Sequence, residues 1–285
     1  MLHHLLTLAR VSNLPTVWSN CLAAWLISGV APSWGLLPLM LGASLLYAGG
    51  CTLNDAFDAP WDAKHRPERI IPSGVLSRRS VWIIGLIEMA AGLAAIFAAG
   101  VSVWWPAPAL AAAILLYDAW HKQSPLSVII MGACRWLLYV TAATVAGGNL
   151  QPVMICGGVL WFYIIVLSLV ARGEAKRGTS MPKTRRLLVL IPVAVGVVAW
   201  LNGSRGSLTG DFAFAASFGI FFLLPGTNAP VGTWVNRLLA GIPIIDLCLF
   251  LTLRAPIDTF FSVWILAFPA AVALSLLFQR WFKAT

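Results

Sequence analysis

The sequence predicts an all-α polytopic membrane protein of nine or ten transmembrane helices, and three observations predict it. First, 60% of the residues are apolar and 10% charged, where a soluble domain carries about 25% charge. Second, apolar runs approaching the ~20 residues that a bilayer crossing requires recur along the whole chain. With loops of ~10 residues, the 285 residues hold nine or ten such crossings. Third, the breaks between runs carry Gly, Pro and Ser, the residues that end helices. No soluble domain or linker interrupts them, so one transmembrane domain over residues 1–285 is expected.

In order, the runs are Leu14–Val30, Leu36–Leu53, Val81–Gly100, Val103–Tyr117, Leu126–Ala146, Val153–Ala171, Leu187–Leu201, Phe212–Leu224, Leu238–Leu253 and Phe260–Phe282. The eighth is short for a straight crossing, which leaves the count between nine and ten. Met1–Arg10 lacks a long apolar core and runs into Asn13 and Pro15, so a retained first span is expected rather than a cleaved signal. The five cysteines all fall in apolar runs without C-x-x-C spacing and read as small buried residues.

Charge is unevenly placed. The net charge is +9, from 19 Lys and Arg against 10 Asp and Glu. Lys64, Arg66, Arg69, Arg78 and Arg79 follow the second run, Lys122 the fourth, and Arg172, Lys176, Arg177, Lys183, Arg185 and Arg186 the sixth. The connections near Ala31, Gly100 and Gly148 carry none. This asymmetry predicts a multi-pass protein with its N-terminus and charged loops in the cytoplasm, and no role in binding nucleic acid.

Four of the ten carboxylates, Asp55, Asp58, Asp62 and Glu68, crowd the loop after the second run. Offsets of three and four put Asp55, Asp58 and Asp62 within a ~60° arc of a helix. Three anions on one stripe call for a cation, and an all-oxygen ligand set without His or Cys suits Mg²⁺. Because Mg²⁺ is commonly shared with substrate phosphates, the simplest occupant is a Mg²⁺-bound diphosphate. Lys64, Arg66 and Arg69 would grip its remaining oxygens. Mutual pairing of these charges on a solvated loop is the plainer alternative, and it leaves the acid spacing unexplained. Pro60 disfavours helix at Ala59, so a bend between Asp58 and Asp62 is expected.

Asn54-Asp55-x-x-Asp58-x-x-x-Asp62, followed by R-P-E-R-I-I-P-S-G at Arg66–Gly74, resembles the first signature of the UbiA superfamily of intramembrane prenyltransferases. Ile70 stands where many members have Pro. The resemblance implies a helical bundle around a central cavity, with Mg²⁺ joining Asp55, Asp58 and Asp62 to an isoprenyl diphosphate and Asn54 beside them. Arg10 and Asn13 resemble the family's R-x-x-N element near the diphosphate; a snorkelling anchor and a helix cap are the plainer readings.

Tyr117-Asp-Ala-Trp-His-Lys122 resembles the Y-x-x-x-K element, with His121 at the Lys position and Lys122 one later. Arg135 lies deep in the fifth run, where a charge faces a cavity or a partner; diphosphate contact, or pairing with Glu88 or Asp118, is expected. The family's second acidic cluster is reduced here to Glu174, flanked by Arg172 and Lys176, which makes Glu174 a candidate Mg²⁺ ligand and the two cations candidate diphosphate ligands. In this the chain is similar to the EboC-like branch. The implied activity is Mg²⁺-dependent transfer of an isoprenyl group to a small aromatic or polyol-like acceptor among the membrane lipids. The alternative is an isoprenoid or lipid-phosphate carrier or transporter using the same cationic mouth, although no internal repeat of the transporter kind is present.

Overall fold

The computed structural model describes residues 2–172, 183–202, 208–217, 219–226, 229–253 and 263–282. A short helix α1 (Leu2–Leu8) leads through a 3-10 turn at Val11–Asn13 into α2 (Leu14–Ile27). There follow α3 (Leu36–His65), α4 (Arg78–Ala98), α5 (Pro106–Trp120), α6 (Ser127–Ala146) and α7 (Leu150–Arg172). The second half is cut finer, into α8 (Leu190–Leu201), α9 (Leu208–Ser217), α10 (Gly219–Leu223), α11 (Val231–Ala240), α12 (Ile242–Leu253) and α13 (Ala267–Phe278). Among the described residues every regular element is helical, and six helical stretches are long and apolar enough to cross a membrane. The protein is an integral, multi-pass helical membrane protein.

The core forms around α2, which packs against α3, α6, α12 and α13. Only Leu14 and Trp18 of its fourteen residues escape burial. A helix apolar on all sides belongs in the interior of a bundle, and Pro15 in its first turn removes an N–H that would have had no partner there. By contrast α4 keeps few buried residues and turns Ile83, Leu86 and Ile87 outward, as a lipid-facing helix does.

Helices α3 and α4 form the tightest pair. A methyl group added at Gly42 would lie 2.7 Å from the carbonyl oxygen of Gly92, and one at Gly49 would lie 3.0 Å from that of Gly85. These four glycines let two backbones touch, the usual basis of close helix association in lipid.

The expected bend at Pro60 is not formed: α3 runs unbroken to His65. Proline cannot donate to the carbonyl four residues back, which is that of Ala56. Arg78, the first residue of α4, supplies the missing donor, with its Nε 2.9 Å from that oxygen. The loop between the two helices is thereby tied at both ends, and Ser77 caps α4 by accepting from the Ser80 N–H at 3.0 Å. The unbroken helix carries the acidic stripe straight on past the apolar segment.

The connections following α3, α5 and the C-terminus of α7 gather at one end of the bundle. Lys122 touches α3, and Arg172 reaches back to the loop after α5, donating to the carbonyls of His121 and Ser124 and to the Ser127 hydroxyl.

Candidate active site

Asp55, Asp58 and Asp62 share one face at the end of α3, and each meets a cation from elsewhere in the chain. Arg69, in the loop after α3, places Nη1 3.0 Å from Asp55 and 3.6 Å from Asp62. Arg10 approaches Asp55 at 3.4 Å and donates to Asn54 Oδ1 at 3.3 Å. Lys122 lies 2.9 Å from Asp58, with His121 Nε2 at 3.4 Å from the same oxygen. Lys122 also stands 4.0 Å above the ring of Trp61, a contact that steadies its ammonium. The single-residue shift from His121 to Lys122 therefore costs nothing in reach, since both meet Asp58.

Arg10 takes a left-handed backbone conformation, with φ 44°. Non-glycine residues adopt it rarely and at some cost in strain. It turns the chain from α1 into the entry of α2 and leaves the guanidinium directed at Asn54 and Asp55.

Next to the stripe, bordered by Arg10 and Asn54 and not by the three aspartates themselves, opens a chamber of about 410 Å³. Arg10, Asn54, Tyr117 and Asp118 line it on the acidic side, while Leu46, Leu110, Ile114, Leu138, Ile164 and Leu167 contribute apolar wall. Neither Phe nor Trp lines it among the described residues. Asn13 sits in the wall too, donating to the Tyr47 hydroxyl at 3.0 Å. Tyr117 stacks on His121 at 5.1 Å between ring centres, so it braces the residue facing Asp58.

Not every residue expected at the site joins it. Lys64 and Arg66 are exposed beyond the stripe, and Arg66 lies over Trp61 at 6.0 Å; both follow Asp62 at the helix end and face outward. Arg172 lines the chamber but gives hydrogen bonds to the α5–α6 connection, which makes it a clamp on that loop. Glu174 and Lys176 lie outside the described residues.

Arg135 lines the chamber wall, as a charge at that depth was expected to face a cavity, and corrects only the expected pairing. It pairs with neither Glu88, which accepts from Thr52 at 2.9 Å, nor Asp118, which accepts from Asn54 at 3.0 Å. Its guanidinium donates instead to Asn20 Oδ1 at 2.6 Å and Thr16 Oγ1 at 3.1 Å, both on α2. Asn20 in turn donates to Asp246, which also accepts from the Ser19 hydroxyl at 2.5 Å and the Tyr139 hydroxyl at 2.6 Å. Asp246 on α12 is wholly buried, and Asn20 bridges it to Arg135. Sequence reasoning passed over Asp246, although a carboxylate inside an apolar run was the signal. It also passed over Asp118 as a site residue, having weighed it only as a partner for Arg135.

Among the described residues no three His, Cys, Asp or Glu side chains converge as a ready-made metal site. The donor chemistry nonetheless fits Mg²⁺: three neighbouring carboxylates, all oxygen ligands, neutralised by Arg and Lys side chains that an incoming metal–phosphate unit can replace.

Comparison with known proteins gives the same frame. Over 140 residues the chain is 26% identical to the 4-hydroxybenzoate octaprenyltransferase of Pectobacterium carotovorum, covering 48% of this chain and 49% of that one. It is 36% identical over 93 residues to the digeranylgeranylglyceryl phosphate synthase of Methanopyrus kandleri, covering 32% and 34%. The chain thus spans about half or less of the length of the curated relatives it matches.

In fold it is similar to a UbiA homologue from Archaeoglobus fulgidus, solved with GPP and Mg²⁺. The TM-score is 0.64 at 15% identity, covering 95% of this chain and 99% of that one. A solved digeranylgeranylglyceryl phosphate synthase gives a TM-score of 0.55 at 20% identity, over 97% and 96%. A sequence model of the UbiA prenyltransferase family matches residues 12–258. With the acidic stripe, its cationic partners and the chamber next to them, that match makes this chain a member of the UbiA prenyltransferase family.

Proposed function

We propose that the chain is a Mg²⁺-dependent intramembrane prenyltransferase that moves an isoprenyl group from an isoprenyl diphosphate to a small acceptor. The observation that carries this reading is a carboxylate stripe, each member held by a basic side chain, joined through Arg10 and Asn54 to the wall of an apolar chamber. The substrate's two halves, a polyanion and a hydrocarbon tail, need those two environments in contact.

On this reading Asp55, Asp58 and Asp62 hold the metal, with Glu174 a further candidate ligand. Arg10, Arg69 and Lys122 exchange their carboxylates for phosphate oxygens, and Arg bonds such oxygens in pairs. Mg²⁺, when bound, neutralises charge on the departing diphosphate. The basic side chains add to that field from fixed positions, which is where most of such catalysis resides. The chamber's Leu and Ile walls keep water from an allylic cation as the C–O bond opens.

The remaining proposals follow from charge and length. The N-terminus and the charged end of the bundle face the cytoplasm. The chain forms one domain across residues 1–285, and the six long spans, joined by the shorter α2, α5 and α13, make nine crossings, with α9 and α10 leaving room for a tenth. The acceptor is a small aromatic or polyol-like molecule.

The test is pyrophosphate release from labelled geranylgeranyl or farnesyl diphosphate by the purified protein in lipid nanodiscs. Release that needs Mg²⁺ and is lost in Asp55→Ala and Asp58→Ala is expected. Substrate binding with no release, or flux of the diphosphate across proteoliposomes, would establish a carrier instead.

A further inference from the structure

Asp118 is the one carboxylate among the residues lining the chamber, and it takes part in none of the described ion pairs. It is 5% exposed and lines the chamber wall on α5. Its Oδ1 accepts from Asn54 Nδ2 at 3.0 Å, whereas its Oδ2 is buried with no hydrogen-bond partner. A buried carboxylate oxygen left unpartnered is costly and uncommon, and it calls for a ligand that arrives with a proton to share.

Asn54 fixes where that oxygen sits. Its own Oδ1 accepts from Arg10, so one amide joins the Arg10–Asp55 ion pair to Asp118. Asp118 is therefore placed one side chain away from the diphosphate grip, inside the chamber rather than on the stripe. The hydrogen bond of His121 goes to the backbone carbonyl of Asp118, at 3.1 Å, and not to its carboxylate.

We propose that Asp118 is the catalytic proton acceptor, taking the proton of an acceptor that attacks through a hydroxyl group. This rests on the prenyl-transfer reading and names the acceptor's chemistry. In the step, the acceptor oxygen bonds to C1 of the isoprenyl chain and the C1–O bond to diphosphate breaks. The electron pair leaves with the diphosphate, and the hydroxyl proton passes to Asp118 Oδ2. A phenol or alcohol fits; an acceptor already ionised in water does not need this residue. A positioned base of this kind contributes about 10²–10⁴ in rate.

The experiment uses the full chain in nanodiscs with Mg²⁺, geranylgeranyl diphosphate as donor, and two acceptors of one shape, 4-hydroxybenzoate and 4-mercaptobenzoate. The thiol ionises near neutral pH and the phenol does not. Asp118→Asn keeps the oxygen that Asn54 bonds, so donor affinity, read by tryptophan fluorescence, stays within about threefold while the phenol product falls roughly a hundredfold. The thioether product stays within about threefold, and Asp118→Glu restores part of the phenol product. Equal loss of both products, or no loss of either, overturns the proposal, as does a wild-type protein that prenylates the thiol alone. If the wild-type protein prenylates neither, pyrophosphate release decides: no Mg²⁺-dependent release from geranylgeranyl diphosphate overturns the prenyl-transfer reading, whereas release without either product overturns the hydroxyl-acceptor proposal alone.

Discussion

The two charged clusters of this protein use the same residue types to opposite ends. At the mouth, Asp55, Asp58 and Asp62 meet Arg69, Arg10 and Lys122 directly, at 2.9–3.6 Å; the cations keep partial solvent exposure while Asp58 and Asp62 are buried. In the interior, Arg135 and Asp246 never touch: Asn20 stands between them, and Ser19, Thr16 and Tyr139 complete their hydrogen bonds. The basic side chains at the mouth, reaching in from partly exposed positions, can swing away from their carboxylates. A buried charge ringed by fixed neutral donors cannot. The mouth is built to let its partners go, the interior to keep them.

The interior should therefore fail first when one member is removed. Asp246→Ala strands the Arg135–Asn20 side and should cost about 3–5 kcal/mol, seen as a large drop in the detergent midpoint of unfolding. If unfolding is unchanged, the network is not a structural tie among α2, α6 and α12. At the mouth the balance reverses. Asp58→Ala should cut prenyl transfer at least a hundredfold, about 2.7 kcal/mol in barrier, while the unfolding midpoint barely moves. A variant that loses both in proportion would erase the contrast.

Smaller changes sharpen it. Tyr139→Phe removes one of the donors to Asp246 and should lower stability by about 2 kcal/mol with turnover per folded molecule retained. Least of all, Arg78→Met leaves the Ala56 carbonyl without its donor and should cost about 1 kcal/mol. Pairing it with Pro60→Ala, which restores a backbone N–H to that carbonyl, should recover most of the loss; a double variant as weak as the single one would break the account of the unbent helix.

Much of the fold was readable because lipid imposes a coarse rule: apolar length predicts crossing. Each of the ten apolar runs is helical over most of its described residues. The acidic stripe was equally readable, since three-and-four spacing is a local property of α3. What escaped reading was long-range. Nothing near Pro60 indicates that Arg78, eighteen positions on, will supply the donor that a bend would have required. Arg135 was recognised as a charge needing company, yet its partners come from α2 and, through Asn20, from α12. Asp118, inside the Tyr117–Lys122 motif, was weighed only as a partner for Arg135, because its significance lies in the oxygen that no neighbour satisfies. Spacing reports who shares a face; only packing reports who is left over.

The glycine seam between α3 and α4 also bears on how the protein answers its lipid surroundings. Helices adjust to a thinner or thicker bilayer by tilting, but here two rods in backbone contact can only lean together. Bilayer thickness would then raise or lower the three aspartates as a unit against the headgroups, without disturbing their mutual spacing. Host membranes of different thickness would thus tune access to the substrate-binding mouth while leaving its chemistry alone.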